Sequence, residues 1–234
     1  MKTFFTKLLA VIAGISLIAG LLCAVICAQA ASVDFYTKEY RKLGVAEDVG
    51  ISEADLKNAT EILIDYTAGK REDMVAWADF SGETKEVFND REKAHMVDVR
   101  ELFLGAKRLS YITLALGAGI LALLLIFRKE KQPVLKGYRM GNYVFLAVFA
   151  LIAFYAATDF TSFWTSFHHV FFTNDLWLLD PNTCNLILMV PEQFFFDLVF
   201  RIVGWFVGIG AALYAASWIY EKKLLKKGGG ANVS

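Results

Sequence analysis

LSYITLALGAGILALLLIF, residues 109–127, is followed at once by RKEK, residues 128–131. The run carries no charge over a length close to the roughly 20 apolar residues that one helix needs to cross a bilayer. The charged block then stops it sharply. Working outward, three further runs qualify: Leu8–Ala28, Tyr143 to about Thr158, and Leu198–Tyr220, the last ended by Glu221-Lys222-Lys223. With 56% of the chain hydrophobic, an ordinary soluble domain is excluded. The fold class expected is a mainly α membrane protein. It has four transmembrane helices and a small extracellular cap made of helices and one β-hairpin.

The expected organisation follows from these runs. Residues 1–30 hold helix 1, 31–105 the cap, 106–128 helix 2 and 129–141 a short loop. Residues 142–160 hold helix 3, 161–197 an aromatic-rich segment, 198–220 helix 4 and 221–234 a basic tail. Net charge is zero, but its distribution is informative. Lys2, Lys7, Arg128, Lys129, Lys131, Lys136, Arg139, Lys222, Lys223, Lys226 and Lys227 crowd the two ends and the short loop. Basic residues stay on the cytoplasmic side, so both termini and residues 129–141 are expected there. Residues 31–101, with 17 acidic and 10 basic residues and a net of −7, are expected outside, together with 161–197. Such an arrangement belongs to a multi-pass membrane protein. Lys2, Lys7 and Ala28-Gln29-Ala30 also fit a cleavable signal peptide. The uncharged run of 21 residues exceeds the roughly 7–15 of a signal core, so a retained helix is the expectation.

Within the cap, Val33–Leu43 reads as a helix stopped by Gly44. Ser52-Glu53-Ala54-Asp55 reads as a helix start of the capping-box type, and Leu56, Ala59, Leu63 and Tyr66 then recur at helical spacing up to Gly69. Val75–Phe80 and Thr84–Phe88 around Ser81-Gly82-Glu83 read as a hairpin. Asn89-Asp90-Arg91-Glu92 is a second capping box and starts the helix that carries His95. Cys23 and Cys27 share one face of helix 1 as packing residues, and a lone Cys184 makes no disulfide framework.

The segment FTSFWTSFHHVFFTNDLWLLDPNTCNLILMVPEQFFFD, residues 160–197, is where chemistry is expected. It carries His168 and His169; the chain's one other histidine is His95. Phe160, Phe163, Trp164, Phe167, Phe171, Phe172 and Trp177 fall within 18 residues, denser than an aromatic belt of one or two rings per helix end. His95 shares a helical face with Glu92 and Asp98, and a neighbouring carboxylate raises a histidine's basicity. By spacing alone, a solvated helix face and a pair of interfacial histidines are the commoner readings of these two sites. Asn174-Asp175, Asp180-Pro181-Asn182 and Pro191-Glu192 shape a loop, and Asn174 is of a type that can donate to an oxyanion. Asp159 and Arg201 are expected to face the protein interior; Asp197 and Arg201, four apart, are of a spacing to pair. No nucleophile elbow, HExxH, zinc spacing or phosphate loop occurs. Neither a metal nor any cofactor is expected.

Two stretches resemble the lipoprotein intramolecular transacylase (Lit) family. One is Phe167-His168-His169-Val170-Phe171-Phe172-Thr173-Asn174-Asp175-Leu176-Trp177 with Asp180-Pro181, Leu186-Ile187 and Pro191-Glu192-Gln193-Phe194-Phe195. The other is Glu92-Lys93-Ala94-His95-Met96-Val97-Asp98-Val99. The order of helix, cap and three further helices matches as well. The resemblance implies transfer of the sn-2 acyl chain of a lipoprotein's diacylglyceryl-cysteine to the α-amino group of that cysteine, giving the lyso form. It implies His95 and His168 as the catalytic pair, with His169 at a position that need not be histidine. Asp98, Trp164, Phe167 and Phe171 are the first of the implied supporting or substrate-binding residues. Phe172, Asn174, Trp177 and Glu192 complete them. The partners implied are a diacylglyceryl-lipoprotein substrate and membrane lipid, with no nucleic acid; nothing in the sequence sets an oligomeric state.

The chemistry agrees with the residues present. Ester aminolysis within one molecule brings its own nucleophile, and a histidine near pKa 6.5 is matched to an α-amino group near 7.7–8.0. A second histidine can protonate the departing glyceryl oxygen, and an aromatic pocket can orient one flexible lipid. The competing readings are a non-enzymatic membrane sensor or accessory protein whose cap binds a partner, a haem-binding four-helix protein, and a transporter. Haem lacks a histidine well inside a span, and transport lacks central polar residues. One geometric tension remains. A helix unbroken from His95 to Leu109 would hold the histidine about 21 Å from the apolar run, so at least one of the two histidine segments is expected to bend, the first of them near Gly105, or to tilt.

Overall fold

The computed structural model describes residues 2–229; residues 230–234, the end of the basic tail, lie outside them. Nine α-helices and a two-stranded sheet follow in order among the described residues: α1 (Lys2–Ala30), α2 (Val33–Leu43), α3 (Val45–Val49), α4 (Glu53–Thr67), β1 (Trp77–Phe80), β2 (Glu83–Glu86), α5 (Asp90–Phe127), α6 (Gln132–Thr158), α7 (Phe160–Phe171), α8 (Asn185–Met189) and α9 (Glu192–Gly229). Helices α1, α5, α6 and α9 are long and apolar enough to cross a membrane. The chain divides into two compact units.

The first unit gathers the chain up to Val25, Leu109–Leu151 and the stretch from Ile202 onward. Its helices meet at small residues. Gly137 and Gly141, four apart on α6, lie so close to α1 that an added Cβ would collide with the carbonyls of Lys7 and Val11. Gly14 of α1 meets the Tyr138 carbonyl in the same way. Between apolar helices in lipid, close backbone approach and hydrogen bonds replace the hydrophobic drive. Ser110 of α5 donates to the Gly20 carbonyl at 2.9 Å. Phe206 is 1% exposed beside Ile18 and Val25.

The second unit, Ile26–Arg108 with Ile152–Arg201, holds the cap and the aromatic segment. Gly44 takes a left-handed φ of 73° and closes α2, as its position predicted. Ser52 caps α4 by accepting from the Asp55 N–H at 3.0 Å. The hairpin is tighter than expected: β1 pairs antiparallel with β2 in the register Trp77↔Glu86 to Phe80↔Glu83. Ser81 (φ 57°) and Gly82 (φ 96°) make a two-residue turn that suits the twist of short strands. Phe194, fully buried at the start of α9, plugs this unit; its ring lies 5.3 Å from Phe35, 4.7 Å from Tyr36 and 6.0 Å from Tyr40.

Three expectations need correction. No break occurs at Gly105, because α5 runs unbroken from Asp90 to Phe127. Nothing crowds Gly105, and a single glycine among Leu104, Ala106 and Lys107 costs a helix only about 1 kcal/mol. The chain bends instead between α6 and α7, where Asp159 leaves the helical region (φ −150°, ψ 86°) and caps α7 through the Ser162 N–H at 3.0 Å. Asp159 is therefore an exposed cap and does not face the interior. Asp197 and Arg201 do not pair with each other. Asp197 binds Lys42 Nζ at 2.6 Å, while Arg201 donates to Gln29 Oε1 and lies over the Phe35 ring. Two short helices, α3 and α8, had no counterpart in the sequence reading.

Candidate functional site

The site lies within the second unit and begins at the first turn of α5. The predicted capping box is reciprocal: Asn89 N–H donates to Glu92 Oε2 at 2.6 Å, and Glu92 N–H donates to Asn89 Oδ1 at 3.0 Å. Glu92 is 0% exposed, and its other oxygen accepts the Leu186 N–H of α8. Burial pushes its carboxyl above the usual range, opposed by the N–H groups of Leu186 and Asn89. Asn89 Nδ2 also donates to the Thr183 carbonyl at 2.9 Å, and Asn185 Nδ2 to the Val87 carbonyl at 2.6 Å. Residues 87–92 and 183–186 are thus stitched together by side chains reaching backbone groups.

One turn beyond Glu92, His95 meets His168 of α7, with ring centroids 6.4 Å apart. Each is 8% exposed. Phe172 packs against both, 5.3 Å from His95 and 5.6 Å from His168. His168 Nδ1 lies 2.7 Å from the Trp164 carbonyl. A carbonyl only accepts, so the proton sits on Nδ1 and the neutral ring keeps the Nε2 lone pair. His95 Nδ1 is buried without a hydrogen-bond partner among the described residues. Burial pushes His95 down to about 4, helped by His168 and opposed by Asp98. Burial also lowers His168, opposed by the Trp164 carbonyl. Both shifts favour the neutral ring.

The two histidines line a cavity of about 390 Å³ with Trp164, Trp177, Leu186, Val190, Glu192 and Phe195, within the roughly 300–1,000 Å³ of small-molecule sites. Trp164 stacks on Phe195 at 4.2 Å and on Phe167 at 5.1 Å. Phe171 stands further out, tilted against Phe167 at 4.8 Å. Glu192 accepts from Thr161 Oγ1 at 2.6 Å. Asn174 is spent elsewhere: it donates to Asp98 Oδ2 at 2.9 Å and accepts from the Leu176 N–H at 3.0 Å. Asp98 therefore acts on His95 by charge and on the loop by a hydrogen bond. His169 is exposed, its ring edge-on to Trp177 at 5.3 Å. Among the described residues no group of acidic, histidine and cysteine side chains is placed to hold a metal. Another hollow, about 440 Å³ between α2, α3 and α4, is lined by Thr37, Arg41, Glu47 and Glu53 among others and holds no histidine.

Sequence reasoning missed the tertiary role of Glu92 and the place of Phe195 against Trp164 in the cavity wall. The capping box was legible, but nothing local announces that its second oxygen reaches Leu186.

The comparisons with known proteins bear on this arrangement. A family model described as lipoprotein intramolecular transacylase Lit matches residues 11–195. The fold is similar to the in meso structure of the membrane integral lipoprotein intramolecular transacylase Lit from Bacillus cereus. The TM-score is 0.76 at 19% identity, over 94% of this chain and 99% of that one. It is equally similar to a variant of that protein with one histidine changed to arginine (TM-score 0.76, 20% identity, 96% of each chain). A histidine-to-alanine variant gives 0.75 at 20% identity, over 96% of this chain and 97% of that one. No curated protein sequence matches the chain. The chain belongs to the lipoprotein intramolecular transacylase family and is a membrane acyltransferase acting on lipoproteins.

Proposed function

We propose that the cavity holds the diacylglyceryl-modified N-terminal cysteine of a bacterial lipoprotein, and that the sn-2 acyl chain passes to the α-amino nitrogen of that cysteine. A C–N bond forms at the ester carbonyl, the C–O bond to glycerol breaks, and one proton moves from nitrogen to the glyceryl oxygen. Nothing is oxidised, and no group of the protein need carry the acyl chain. The observation that supports this reading is the pair of buried histidines, 6.4 Å apart, that line one aromatic cavity.

His168 is the base. Its Nδ1–H is held by the Trp164 carbonyl, which leaves Nε2 to take the amine proton and stabilises the imidazolium that results. His95, the more strongly depressed of the two, has the more acidic conjugate acid and relays the proton to the departing oxygen. Trp164, Trp177 and Phe195, backed by Phe167 and Phe172, enclose the lipid and align ester with amine, which is where most of the rate enhancement of an intramolecular reaction arises. The positive-inside distribution of basic residues supports a cap and cavity on the outer side, where mature lipoproteins carry their modified cysteine.

The test is expression in a bacterial host that lacks lipoprotein N-acylation, with mass spectrometry of lipoprotein N-terminal peptides. The native chain should yield lyso-form peptides whose acyl group is on nitrogen. His95→Ala and His168→Ala should each lower that product by about 10²–10⁴-fold, and His169→Ala should leave it. Undiminished product from either of the first two variants sinks the paired role.

A further inference from the structure

The loop after α7 carries more hydrogen bonds than a connector needs. Asn174 Nδ2 donates to Asp98, and its Oδ1 accepts from Leu176 N–H. Arg91 Nη2 donates to the Asp175 carbonyl at 2.5 Å and to the Leu178 carbonyl at 3.2 Å. Leu178 N–H donates to the Asp175 carbonyl at 3.2 Å. Arg91 and Asp98, seven apart on α5 with His95 between them, hold this loop at both ends of residues 174–178. The one residue they bracket whose side chain reaches the cavity histidine is Trp177. Its indole lies nearly flat on the imidazole of His168, with centroids 4.6 Å apart and planes 27° apart. His169 meets the same indole edge-on.

We propose that Trp177 is a positioning residue for His168: its indole face stabilises the imidazolium form by a cation–π contact, and Arg91 fixes the indole there in advance. The catalytic part of this rests on the base role proposed for His168. A centroid distance under about 6 Å is the range of cation–π attraction, and tryptophan is its best partner. The neutral ring gains little from the contact and the charged ring gains much. The contact therefore strengthens as the proton arrives, which is the requirement for a group that acts on the transition state. It offsets part of the burial that disfavours the charged ring. The other titratable groups near His168 are His95 on α5, which Asp98 influences, His169 on α7, Glu192 on α9 and Tyr36 on α2. None of these supplies a flat π face at stacking distance.

A hydrophobic cover and a cation–π partner make opposite predictions. Trp177→Leu keeps the bulk and removes the π face. If the indole stabilises the charged ring, the pKa of His168 falls by about 0.5–1.5 units. If the indole merely excludes water, the pKa stays or rises toward the ordinary value. The chain has three histidines, so NMR titration of ¹³C-labelled histidine in nanodiscs resolves each ring. Site-specific fluorotryptophan at 177 weakens the π face at nearly constant volume and serves where Trp177→Leu fails to fold. Stepwise fluorination should lower the His168 pKa stepwise, and Trp177→Phe should restore most of it. An unchanged or raised pKa across the fluorinated series overturns the proposal. The titration needs no turnover, so it stands or falls apart from the assigned reaction. A lowered pKa with unaltered kcat in the lyso-form assay would overturn the catalytic half alone.

Discussion

A buried neutral histidine ties stability to pH, and His95 is the clearest case here. Its folded pKa, about 4, lies below the roughly 6.5 of an exposed ring. As pH falls from 6.5, the unfolded chain takes up the proton first, so the folded state loses ground. The contribution is complete above 6.5, declines between 6.5 and 4, and changes no further below 4. The size is about 3 kcal/mol at 1.36 kcal/mol per unit. We therefore expect His95→Gln to flatten the dependence of the melting temperature on pH between 6.5 and 4 in detergent-solubilised protein. A slope as steep as that of the native chain would remove His95 as its source. The residue types of this site were legible in the sequence, because only three histidines exist and two sit in dense, unusual surroundings. Their protonation was not, because it depends on burial and on a carbonyl one helical turn away.

At the scale of the element, the N-terminal turn of α5 does more than begin a helix. Glu92 completes the capping box with Asn89 and also accepts from Leu186, 94 positions away. It so fixes the turn that carries His95 to the short helix whose Leu186, with the following Ile187 and Val190, lines the cavity. In Glu92→Gln, one accepting oxygen becomes an NH₂ facing an N–H donor. A buried donor left without its acceptor costs about 1–3 kcal/mol. We expect a lowered melting temperature with hydrogen exchange at the Leu186 and Asn89 amides accelerated ahead of the α4 amides. Uniform acceleration over the whole second unit would instead mark Glu92 as an ordinary packing residue. The capping box, the Gly44 stop and the hairpin were legible because each is decided within four to eight neighbouring residues. α8 was not, since its five residues, Asn185–Met189, have no local reason to be helical until Glu92 holds the Leu186 N–H and Val87 the Asn185 side chain. Gly105 misled in the opposite sense: a weak local breaker was outvoted by a helix 38 residues long, and the bend fell to Asp159, where a side-chain cap makes it favourable.

At the scale of the molecule, the four apolar runs were legible because a membrane span needs only composition over a fixed length, with no tertiary information. The candidate site was legible only in halves, His95 on one stretch and the aromatic segment on another, since nothing in spacing says that positions 73 apart will share a cavity. The side of the membrane on which that cavity opens is a prediction from charge. Basic residues crowd the two ends and residues 129–141, and residues 31–101 carry a net −7, a division from which the loop is expected inside and the cap outside. Exposed lysines on each part test it. In a background with Cys23, Cys27 and Cys184 replaced by serine or alanine, Lys57→Cys on α4 and Lys129→Cys after α5 present one thiol each, both at exposed positions. Whole cells treated with a membrane-impermeant maleimide should label the thiol at 57 at once and the thiol at 129 only after permeabilisation. The opposite pattern would put the histidine cavity on the cytoplasmic face, away from mature lipoproteins, and the proposed reaction would lose its substrate even with the site geometry intact.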